Sequence, residues 1–277
     1  MEPFQQKHET FYMIEEWAKE FPGLVAGFTT KLGGTSKKPF DSLNFGFHVG
    51  DDAASVCQNR EILASQIGFP LQQWVGAEQS HETMIHKVVK ADRGKGSVNY
   101  DSAFTRTDGF YSNEKNVLLT LCYADCVPLY FLVPDQQIFG IAHAGWKGTV
   151  EGIADEMVSR LSLEGIPASE IKVVIGPSIC GECYIVDTSV INRIEKLLIT
   201  LETVEKKPYN LISGNQHQLD LRELNKIILI NAGVLAKNIN ITDFCTSCHH
   251  EMFYSHRLDQ GNTGRMISFI GWREIHP

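Results

Sequence analysis

The chain has 277 residues, of which 43% are hydrophobic and 21% are charged, and its formal net charge is −8. A chain of this length buries enough surface to fold without disulfides or oligomerisation, and the composition is that of a globular protein. The negative charge argues against a general nucleic-acid binder, which would carry a basic excess. The sequence has no run of about eighteen apolar residues that would predict a membrane-spanning helix. We therefore expect neither nucleic acid nor a membrane as a partner.

The N-terminal segment and the cysteines indicate the compartment. Charged residues interrupt the N-terminal segment, and no small-residue cleavage site follows it, so we expect no secretory signal peptide. The chain has seven cysteines. An odd number without a signal peptide favours reduced thiols, some of them metal ligands, over a disulfide framework. The sequence therefore predicts a cytoplasmic location.

Predicted helices and strands follow one another irregularly along the chain. Residues 30–50 are dense in Gly, Ser, Asn and Lys, which predicts an ordered or functional loop. Asp52 then opens a predicted helix that runs to Ile67 and ends at Gly68. Three more helices are predicted, over residues 149–163, 188–201 and 219–235. Short apolar runs predict strands over residues 74–77, 84–89, 117–123, 128–133, 138–143, 171–175, 239–242 and 265–270.

The chain is expected to form one domain. It contains no internal repeat, no low-complexity stretch and no linker rich in Pro, Gly or Ser. We therefore predict a single catalytic domain over residues 1–277, with residues 1–22 as an N-terminal extension. The irregular alternation and at least one hairpin favour an α+β fold with mixed β-sheets and helices packed on the outside.

Residues 122–148 contain the strongest local pattern. Two apolar runs flank residues 134–137, a four-residue loop with turn chemistry, which predicts a β-hairpin. If Val133 pairs with Ile138, the register of every other pair along the two strands follows from it.

This register brings two metal-binding side chains toward each other. His143 faces Pro128, and Cys126 lies two residues before Pro128 on the same face if the extended conformation continues that far. Diagonal neighbours of this kind have Cα atoms roughly 7–8 Å apart, a separation that permits one metal ion to contact both side chains. The alternative is that Cys126 is a small buried hydrophobic residue and His143 a hydrogen-bonded core histidine. Local geometry identifies no third ligand.

Other cysteines also have the spacing of metal-binding motifs. Cys245 and Cys248, followed by His249, match a c-type haem attachment site, but haem is attached to exported proteins. With Cys180 and Cys183, the same pair could instead form a four-cysteine structural zinc site. The long separation between the two pairs is unusual for a zinc ribbon, and reduced cysteines in packed loops are the alternative.

A series of short motifs runs from about Leu24 to Trp272. In order they are GFTT at 27–30, GG at 33–34, SLNFG at 42–46, VGDD at 49–52, NR at 59–60, QSH at 79–81, ADCVP at 124–128, AHAGWKG at 142–148, IGPSI at 175–179, CY at 183–184, FYS at 253–255 with Arg257, and GR at 264–265. With these motifs the chain resembles the YfiH/YlmD family, once called multicopper polyphenol oxidases or laccase-domain proteins and now seen as purine nucleoside phosphorylases.

The resemblance implies a layered α/β/β/α arrangement and a metal triad. The triad consists of the histidine of QSH, the cysteine of ADC and the histidine of HAGW, which are His81, Cys126 and His143. The resemblance also implies a zinc-dependent phosphorylase whose partners are adenosine, inosine or methylthioadenosine, together with phosphate. In that reaction phosphate attacks C1′ of the nucleoside, and the purine base and a ribose 1-phosphate are released.

A zinc ion held by two histidines and one cysteine keeps a fourth position for water or substrate. Zinc lowers the pKa of its bound water to about 7, and hydroxide directed at C6 of adenine would deaminate adenosine. We therefore expect an adenosine deaminase side activity.

The phosphate-binding residues depart from the family pattern in part. Lys31 and Lys147 stand where arginine is common, and Leu258 stands where a second arginine often follows Arg257. An Arg-to-Lys change keeps the charge but loses bidentate recognition of phosphate. The details of phosphate binding are therefore expected to differ from those of relatives with arginine.

The expected catalytic residues are Asp125, Cys126 and His143. Asp125 could act as an acid or base, or hold a purine nitrogen, if a turn redirects it toward the site; a carboxylate that caps nearby backbone is the equal alternative. Substrate binding is expected of Asn44, Arg60, Gln79, Lys147, Arg257 and Arg265. For each cation taken singly, a solvated surface charge is the alternative, whereas the two amides could orient ribose or a ligand histidine.

Three other functions stay open. Two histidines and a cysteine are also the equatorial ligands of a blue-copper centre, with Met84 close in sequence as an axial ligand, and copper (Cu²⁺) would then serve a polyphenol oxidase. A metal-free cysteine hydrolase would use Cys126 as nucleophile and His143 as base. A metal-binding regulator without activity is the third. The oligomeric state is open as well, with a homodimer as one alternative.

Overall fold

A computed structural model of the chain describes residues 2–274. The strands of this part are β1 (Phe4–His8), β2 (Phe11–Ile14), β3 (Leu24–Thr29), β4 (Trp74–Val75), β5 (Ile85–Lys87), β6 (Gly109–Ser112), β7 (Leu118–Tyr123), β8 (Val127–Val133), β9 (Ile138–Ala144), β10 (Lys172–Ile175), β11 (Ile185–Asp187), β12 (Tyr209–Ser213), β13 (Gln216–Leu219), β14 (Ile239–Ile241) and β15 (Met266–Trp272). The α-helices are α1 (Glu15–Glu20), α2 (Ala53–Ile67), α3 (Trp146–Val150), α4 (Ile153–Leu163), α5 (Thr188–Thr200) and α6 (Leu221–Asn231). None of the helices in residues 2–274 combines the length and apolar composition needed to cross a bilayer.

The strands form two six-stranded sheets and one small sheet. The first sheet has the order β1-β2-β3-β15-β7-β4, and the second has the order β14-β10-β8-β9-β6-β5. Each large sheet mixes antiparallel with parallel pairs, the parallel ones being β4 with β7, β10 with β14 and β5 with β6. The third sheet has three strands in the order β11-β13-β12. The predicted α+β fold with mixed sheets is confirmed.

The two large sheets stack face to face. Phe28 and Leu119 of the first sheet share one buried cluster with Tyr130 and Ile141 of the second. Alternate side chains of each strand point to opposite faces of its sheet. Because β8, β9 and β15 are mostly apolar and buried at every position, the outer faces need a cover as well. Burying one such large side chain contributes about 1.5–3 kcal/mol relative to leaving it exposed, so this cluster holds the two sheets together.

Helices cover both outer faces. On the first sheet, Leu63 and Ile67 of α2 pack with Leu118 and Phe269. On the second, the apolar residues of α4, α5 and α6 share a cluster with β8 and β10. The molecule therefore has four layers in the order helix, sheet, sheet, helix, as the family resemblance implies.

Of the four predicted helices, α2 and α5 match closely, α6 is shorter than predicted at both ends, and the one over residues 149–163 is divided. Asp52 caps α2 by accepting the backbone N–H of Ser55 at 3.0 Å, and Gly68 ends this helix in a left-handed conformation, with φ 67°. The predicted continuous helix over residues 149–163 is instead α3 followed by α4. The break lies at Gly152, whose φ of 91° does not fit a right-handed helix.

The N-terminal residues belong to the first sheet. Strands β1 and β2 pair with each other, and β2 pairs with β3. The side chains of Phe4 and Trp17 are each 2% exposed. The described part of residues 1–22 thus forms the edge of the first sheet and packs into the core, whereas the sequence predicted an N-terminal extension. The sequence reading had also omitted β6 and the small third sheet.

The chain passes from the first sheet to the second in two places that concern the site. One is the connection between β4 and β5, and the other is the short connection between β7 and β8. Between β8 and β9 the predicted hairpin is confirmed in its register, because Val133 pairs with Ile138 and Pro128 pairs with His143.

Candidate metal centre and its cavity

Three side chains converge where these connections meet the hairpin. His81 comes from the β4–β5 connection, Cys126 immediately precedes β8, and His143 is the penultimate residue of β9. One ligand atom of each lies within 4.8 Å of the others. The structure thus brings together the three residues that the sequence and the resemblance indicated.

The donor set suits a transition metal. Neutral imidazole nitrogens and a thiolate are ligands of zinc and of copper. Gly145 leaves room at the site, since a Cβ atom there would lie 3.1 Å from Cys126 Sγ and 3.1 Å from His81 Cδ2. The three residues therefore fit a bound ion both by chemistry and by spacing.

Asp108 organises this site and was missed by the sequence reading. Its buried carboxylate lies 2.8 Å from His143 Nδ1 and accepts the backbone N–H of His81 at 3.1 Å. It also accepts the N–H groups of Ser80 and Glu82. Nothing near Asp108 in the sequence signals this, because the residue belongs to no recognisable motif and its partners are 26 or more residues away.

Opposite charges are favoured at the centre. Burial raises the pKa of the Cys126 thiol, but His143 and His81 outweigh burial and lower this pKa to about 6. Burial lowers the pKa of His143, whereas Cys126 and Asp108 raise it to about 9. The pair is therefore a thiolate and an imidazolium at neutral pH in the metal-free protein. A metal ion held by this pair would require thiolate and neutral imidazole, so its binding would release the His143 proton.

The triad lines a cavity of about 530 Å³. This volume lies within the range of small-molecule sites, roughly 300–1,000 Å³. Aromatic rings of Tyr100, Trp146 and Tyr184 also line it, and such rings offer flat faces on which a planar ligand can stack. The cavity can therefore take a ligand of nucleoside size beside the metal-binding residues.

Four of the predicted substrate-binding residues line this cavity, namely Gln79, Lys147, Arg257 and Arg265. Gln79 is held in place because its side chain accepts the N–H of Cys122 at 2.7 Å and donates to the carbonyl oxygen of Cys122 at 2.9 Å. The guanidinium of Arg257 lies over the ring of Tyr184, 4.8 Å from its centroid. Arg265 is half-buried and donates to two backbone carbonyls of its own loop. The three cations supply positive charge on the cavity wall.

Arg60 and Asn44 lie elsewhere, which corrects the expectation that they bind substrate. Arg60 is 5% exposed, and its guanidinium donates to the carbonyl oxygens of Phe45, Gly96 and Ser97. A buried arginine whose donors are taken by backbone carbonyls has a structural role. The side-chain oxygen of Asn44 accepts the backbone N–H of Arg265 at 2.9 Å, so Asn44 acts by positioning the loop of Arg265.

Asp125 is redirected by a turn, as the sequence argument required. Its φ of 82° is left-handed, and its carboxylate accepts hydrogen bonds from the hydroxyls of Thr246 and Ser255 and from the backbone N–H of Arg257. This corresponds to the alternative in which Asp125 caps nearby backbone. The residue also lines the cavity, so it connects the metal centre to the loop that carries Arg257.

Comparisons with known proteins find similar sequences and structures over nearly the whole chain. Residues 25–273 match the family model described as "Multi-copper polyphenol oxidoreductase laccase". A protein of Bacillus subtilis (strain 168) named purine nucleoside phosphorylase YlmD is 47% identical over 276 residues, which covers 98% of each chain.

Crystal structures of similar proteins superpose closely. YlmD from Geobacillus stearothermophilus has a TM-score of 0.94 at 46% identity, covering 99% of this chain and 100% of that one. The hypothetical protein YfiH of Bacillus licheniformis has a TM-score of 0.93 at 44% identity, covering 98% and 99%.

The sequence motifs, the four-layer fold and the three converging metal-binding side chains thus have one common explanation. The chain belongs to the YfiH/YlmD family, whose model carries the multi-copper polyphenol oxidoreductase laccase description.

Proposed function

We propose that the protein is a zinc-dependent purine nucleoside phosphorylase that acts on adenosine, inosine and methylthioadenosine, with adenosine deaminase as a side activity. One observation carries the proposal: His81, Cys126 and His143 line the same 530 Å³ cavity as the cations Lys147, Arg257 and Arg265. Relatives at 47% and 48% identity are named purine nucleoside phosphorylase YlmD. We place this activity in the cytoplasm, because free thiols such as the seven cysteines of this chain are typical of a reducing compartment.

The cavity wall provides what phosphorolysis needs. An oxygen of hydrogen phosphate forms a bond to C1′ as the bond from C1′ to the purine nitrogen breaks. The electron pair of the broken bond goes to the leaving base, and the proton that hydrogen phosphate loses neutralises that base. Guanidinium and ammonium groups bind the phosphate anion and keep it in place. The aromatic rings, with Tyr184 braced by Arg257, offer a stacking surface for the purine. These contacts hold the two reactants together, which removes the entropic cost of their encounter from the reaction.

The metal ligands would add a second kind of chemistry. When bound by His81, Cys126 and His143, zinc supplies Lewis-acid activation of a water molecule or a substrate atom. This is the chemistry that deamination of adenosine requires. The Asp108 carboxylate keeps His143 oriented by accepting a hydrogen bond from Nδ1, which leaves Nε2 free to bind a metal ion.

A copper oxidase is less well supported. Met84 is 48% exposed and does not line the cavity, so it does not provide the axial ligand of a blue-copper site. Within residues 2–274, the groups of His, Cys, Asp and Glu that could hold an ion are the triad and one set of four cysteines. Neither offers the additional histidines of a multi-copper cluster.

The metal-free hydrolase has one observation in its favour. The pKa of Cys126 is lowered to about 6 by His143 and His81 against the effect of burial, which gives a thiolate beside an imidazolium, as a cysteine nucleophile needs. The hydrolase hypothesis leaves His81 without a role of its own, and for that reason we rank this hypothesis second.

The deciding experiment uses purified protein of known metal content. Adenosine is supplied with and without phosphate, and chromatography resolves adenine, inosine and hypoxanthine. We expect phosphate-dependent release of adenine, together with a smaller amount of inosine that forms without phosphate. Both should be lost in His81→Ala and Cys126→Ala and retained in the control variants His8→Ala and Cys57→Ala, which lie outside the cavity.

The outcomes separate the alternatives. Absence of both base release and inosine at every metal loading would contradict the proposal. An activity on acyl substrates that survives chelation and needs Cys126 but not His81 would support the hydrolase. Oxygen uptake with phenols in copper-loaded protein would support the oxidase.

A further inference from the structure

Four cysteines that do not line the cavity come together in one cluster. Cys180 and Cys183 lie in the connection between β10 and β11, and Cys245 and Cys248 lie in the connection between β14 and β15. Their Sγ atoms all lie within 4.8 Å of one another. Two segments that are distant in sequence thus place four thiols around one point.

The sulfur separations fit the ligand shell of a metal ion. Cys183 Sγ lies 3.4 Å from Cys248 Sγ, and Cys180 Sγ lies 4.0 Å from Cys248 Sγ. A disulfide bond is much shorter, about 2.0 Å. In a tetrahedron with Zn–S bonds of about 2.3 Å, neighbouring sulfurs are about 3.8 Å apart, which lies between these two separations.

Backbone amides already point at one of the sulfurs. The N–H of Cys248 donates to Cys245 Sγ at 3.3 Å, and the N–H of Cys180 donates to the same sulfur at 3.2 Å. Hydrogen bonds from amides stabilise the negative charge of a thiolate. The side chain of Cys245 is 2% exposed, so these donors are aimed at a sulfur that water does not reach.

We propose that Cys180, Cys183, Cys245 and Cys248 bind a structural zinc ion, separate from the triad. Four protein ligands close the coordination shell and leave no position for a substrate, which distinguishes this site from the three-ligand centre in the cavity. Its four thiolates are soft ligands, and a tetrahedral thiolate set favours zinc over magnesium or calcium.

The proposed ion would join the two segments that form one wall of the cavity. Tyr184 follows Cys183 directly, and Arg257 lies downstream of Cys248 on the other segment. The guanidinium of Arg257 lies over the Tyr184 ring at 4.8 Å. Two backbone hydrogen bonds connect the same segments, because the N–H of Thr246 donates to the carbonyl oxygen of Ser178 and the N–H of Ser178 donates to that of Phe244. The site thus fixes the relative position of an aromatic and a cationic residue that face the ligand.

The first test is the metal content of the protein after dialysis. In the double variant His81→Ala/Cys126→Ala, which lacks triad ligands, we expect one zinc per chain by elemental mass spectrometry. Adding Cys183→Ser and Cys248→Ser should remove it, whereas adding Cys57→Ser should not. Because the triad is disabled in all of these proteins, the result does not depend on the proposed phosphorylase activity.

The second test uses the wild-type chain and therefore needs no variant to fold. Native protein is treated with a thiol-alkylating reagent, and the modified peptides are identified by mass spectrometry. We expect the four cysteines to react slowly until a chelator is added, while Cys57 reacts at the same rate throughout. Cobalt substitution of the triad-disabled protein should also give the thiolate charge-transfer absorption of a four-sulfur site.

Several results would overturn the proposal. These are a triad-disabled protein without bound metal, alkylation of the four cysteines at the rate of Cys57 in the absence of chelator, and a disulfide between Cys183 and Cys248 in the unreduced protein. Iron in place of zinc would overturn the identity of the ion.

Discussion

Oδ1 of Asp108 lies 2.8 Å from Nδ1 of His143, and the same oxygen accepts the backbone N–H of His81. One buried carboxylate therefore orients both histidines of the triad, His143 through its ring and His81 through its backbone. Since the carboxylate accepts a hydrogen bond from Nδ1, the other ring nitrogen of His143 is the one available for a metal ion.

Replacing Asp108 with asparagine should weaken metal binding. The amide offers only one acceptor oxygen, and its NH₂ group would face donors that the carboxylate now satisfies. Loss of such an outer partner costs about 10–100-fold in metal affinity, which competition with a chromophoric chelator measures. Asp101→Asn, at an exposed position, serves as the control and should bind metal normally. Equal affinities for both variants would show that Asp108 does not orient the ligands.

Gly145→Ala should weaken metal binding for a steric reason. The φ of −69° at Gly145 is accessible to alanine, so the backbone itself tolerates the change. The added Cβ would lie 3.1 Å from Cys126 Sγ and from His81 Cδ2, so both ligands must shift. We expect metal affinity to fall about tenfold while the melting temperature of the metal-free protein changes little. A parallel loss of both would mean that the methyl group disrupts the fold.

Cys126 should react as a thiolate at unusually low pH in the metal-free protein. Its pKa is lowered to about 6 because His143 and His81 outweigh burial, whereas an unperturbed cysteine has a pKa of about 8.5. The thiolate fraction rises with pH, so the rate of Cys126 alkylation should reach half its maximum near pH 6. Peptide mass spectrometry isolates this residue from the other cysteines.

Two comparisons test the origin of that low pKa. His143→Gln removes the main positive partner, so the midpoint should move upward. Zinc should suppress the reaction at every pH. A midpoint near pH 8.5 in the unmodified protein would be incompatible with a thiolate–imidazolium pair.

Asp125→Asn distinguishes a positioning role from proton transfer. Its carboxylate holds the hydroxyls of Thr246 and Ser255 and the N–H of Arg257. If it only positions this loop, the KM for nucleoside or phosphate should rise several-fold and the shape of the pH–rate profile should persist. If it is the acid or base, kcat should fall by about 10²–10⁴ and one limb of the profile should disappear. We expect the first result, because all of these hydrogen bonds lead to the loop.

Arg60 and Arg265 should respond differently to the loss of charge. Arg60→Met leaves the carbonyls of Phe45, Gly96 and Ser97 buried without a donor, and we expect about 2–3 kcal/mol of lost stability with an unchanged KM for phosphate. Arg265→Gln removes a cation from the cavity wall, so the KM for phosphate should rise about tenfold. Urea unfolding and steady-state kinetics provide the two measurements.

Arg160→Gln, a change in an exposed ion pair, is the control for both arginine variants. A raised KM for phosphate in Arg60→Met, with normal stability, would return Arg60 to the ligand-binding residues.

Local patterns predicted the parts of the fold that depend on neighbours in sequence. The cap at Asp52, the end at Gly68 and the hairpin register from Val133 and Ile138 are all consequences of short-range chemistry. The break at Gly152 was missed because a glycine within an apolar helical pattern does not reveal a left-handed φ. Strands β1 to β3 were missed because their burial depends on the second sheet.

The residues of the site also fall into those predictable from sequence neighbours and those that depend on long-range contacts. Cys126 and His143 could be paired by register, but His81 has a left-handed φ of 62° in an irregular connection, and only the family resemblance placed it. Asp108 and the burial of Arg60 arise from contacts across the fold. Sequence alone does not distinguish an arginine that lines a pocket from one that is buried beneath a loop. The structural role of Arg60 could therefore be assigned only from the structure.

The two sheet-crossing connections give the triad a thermodynamic role in addition to its chemistry. His81 and Cys126 come from the points where the chain leaves the first sheet for the second, so the three ligands meet only when the sheets are stacked. An ion that binds the native state alone raises the free energy of unfolding, by about 2.7 kcal/mol at a hundredfold excess over Kd. An ion held by these three side chains would therefore link the two interior sheets, and its removal by a chelator should lower the stability of both sheets together.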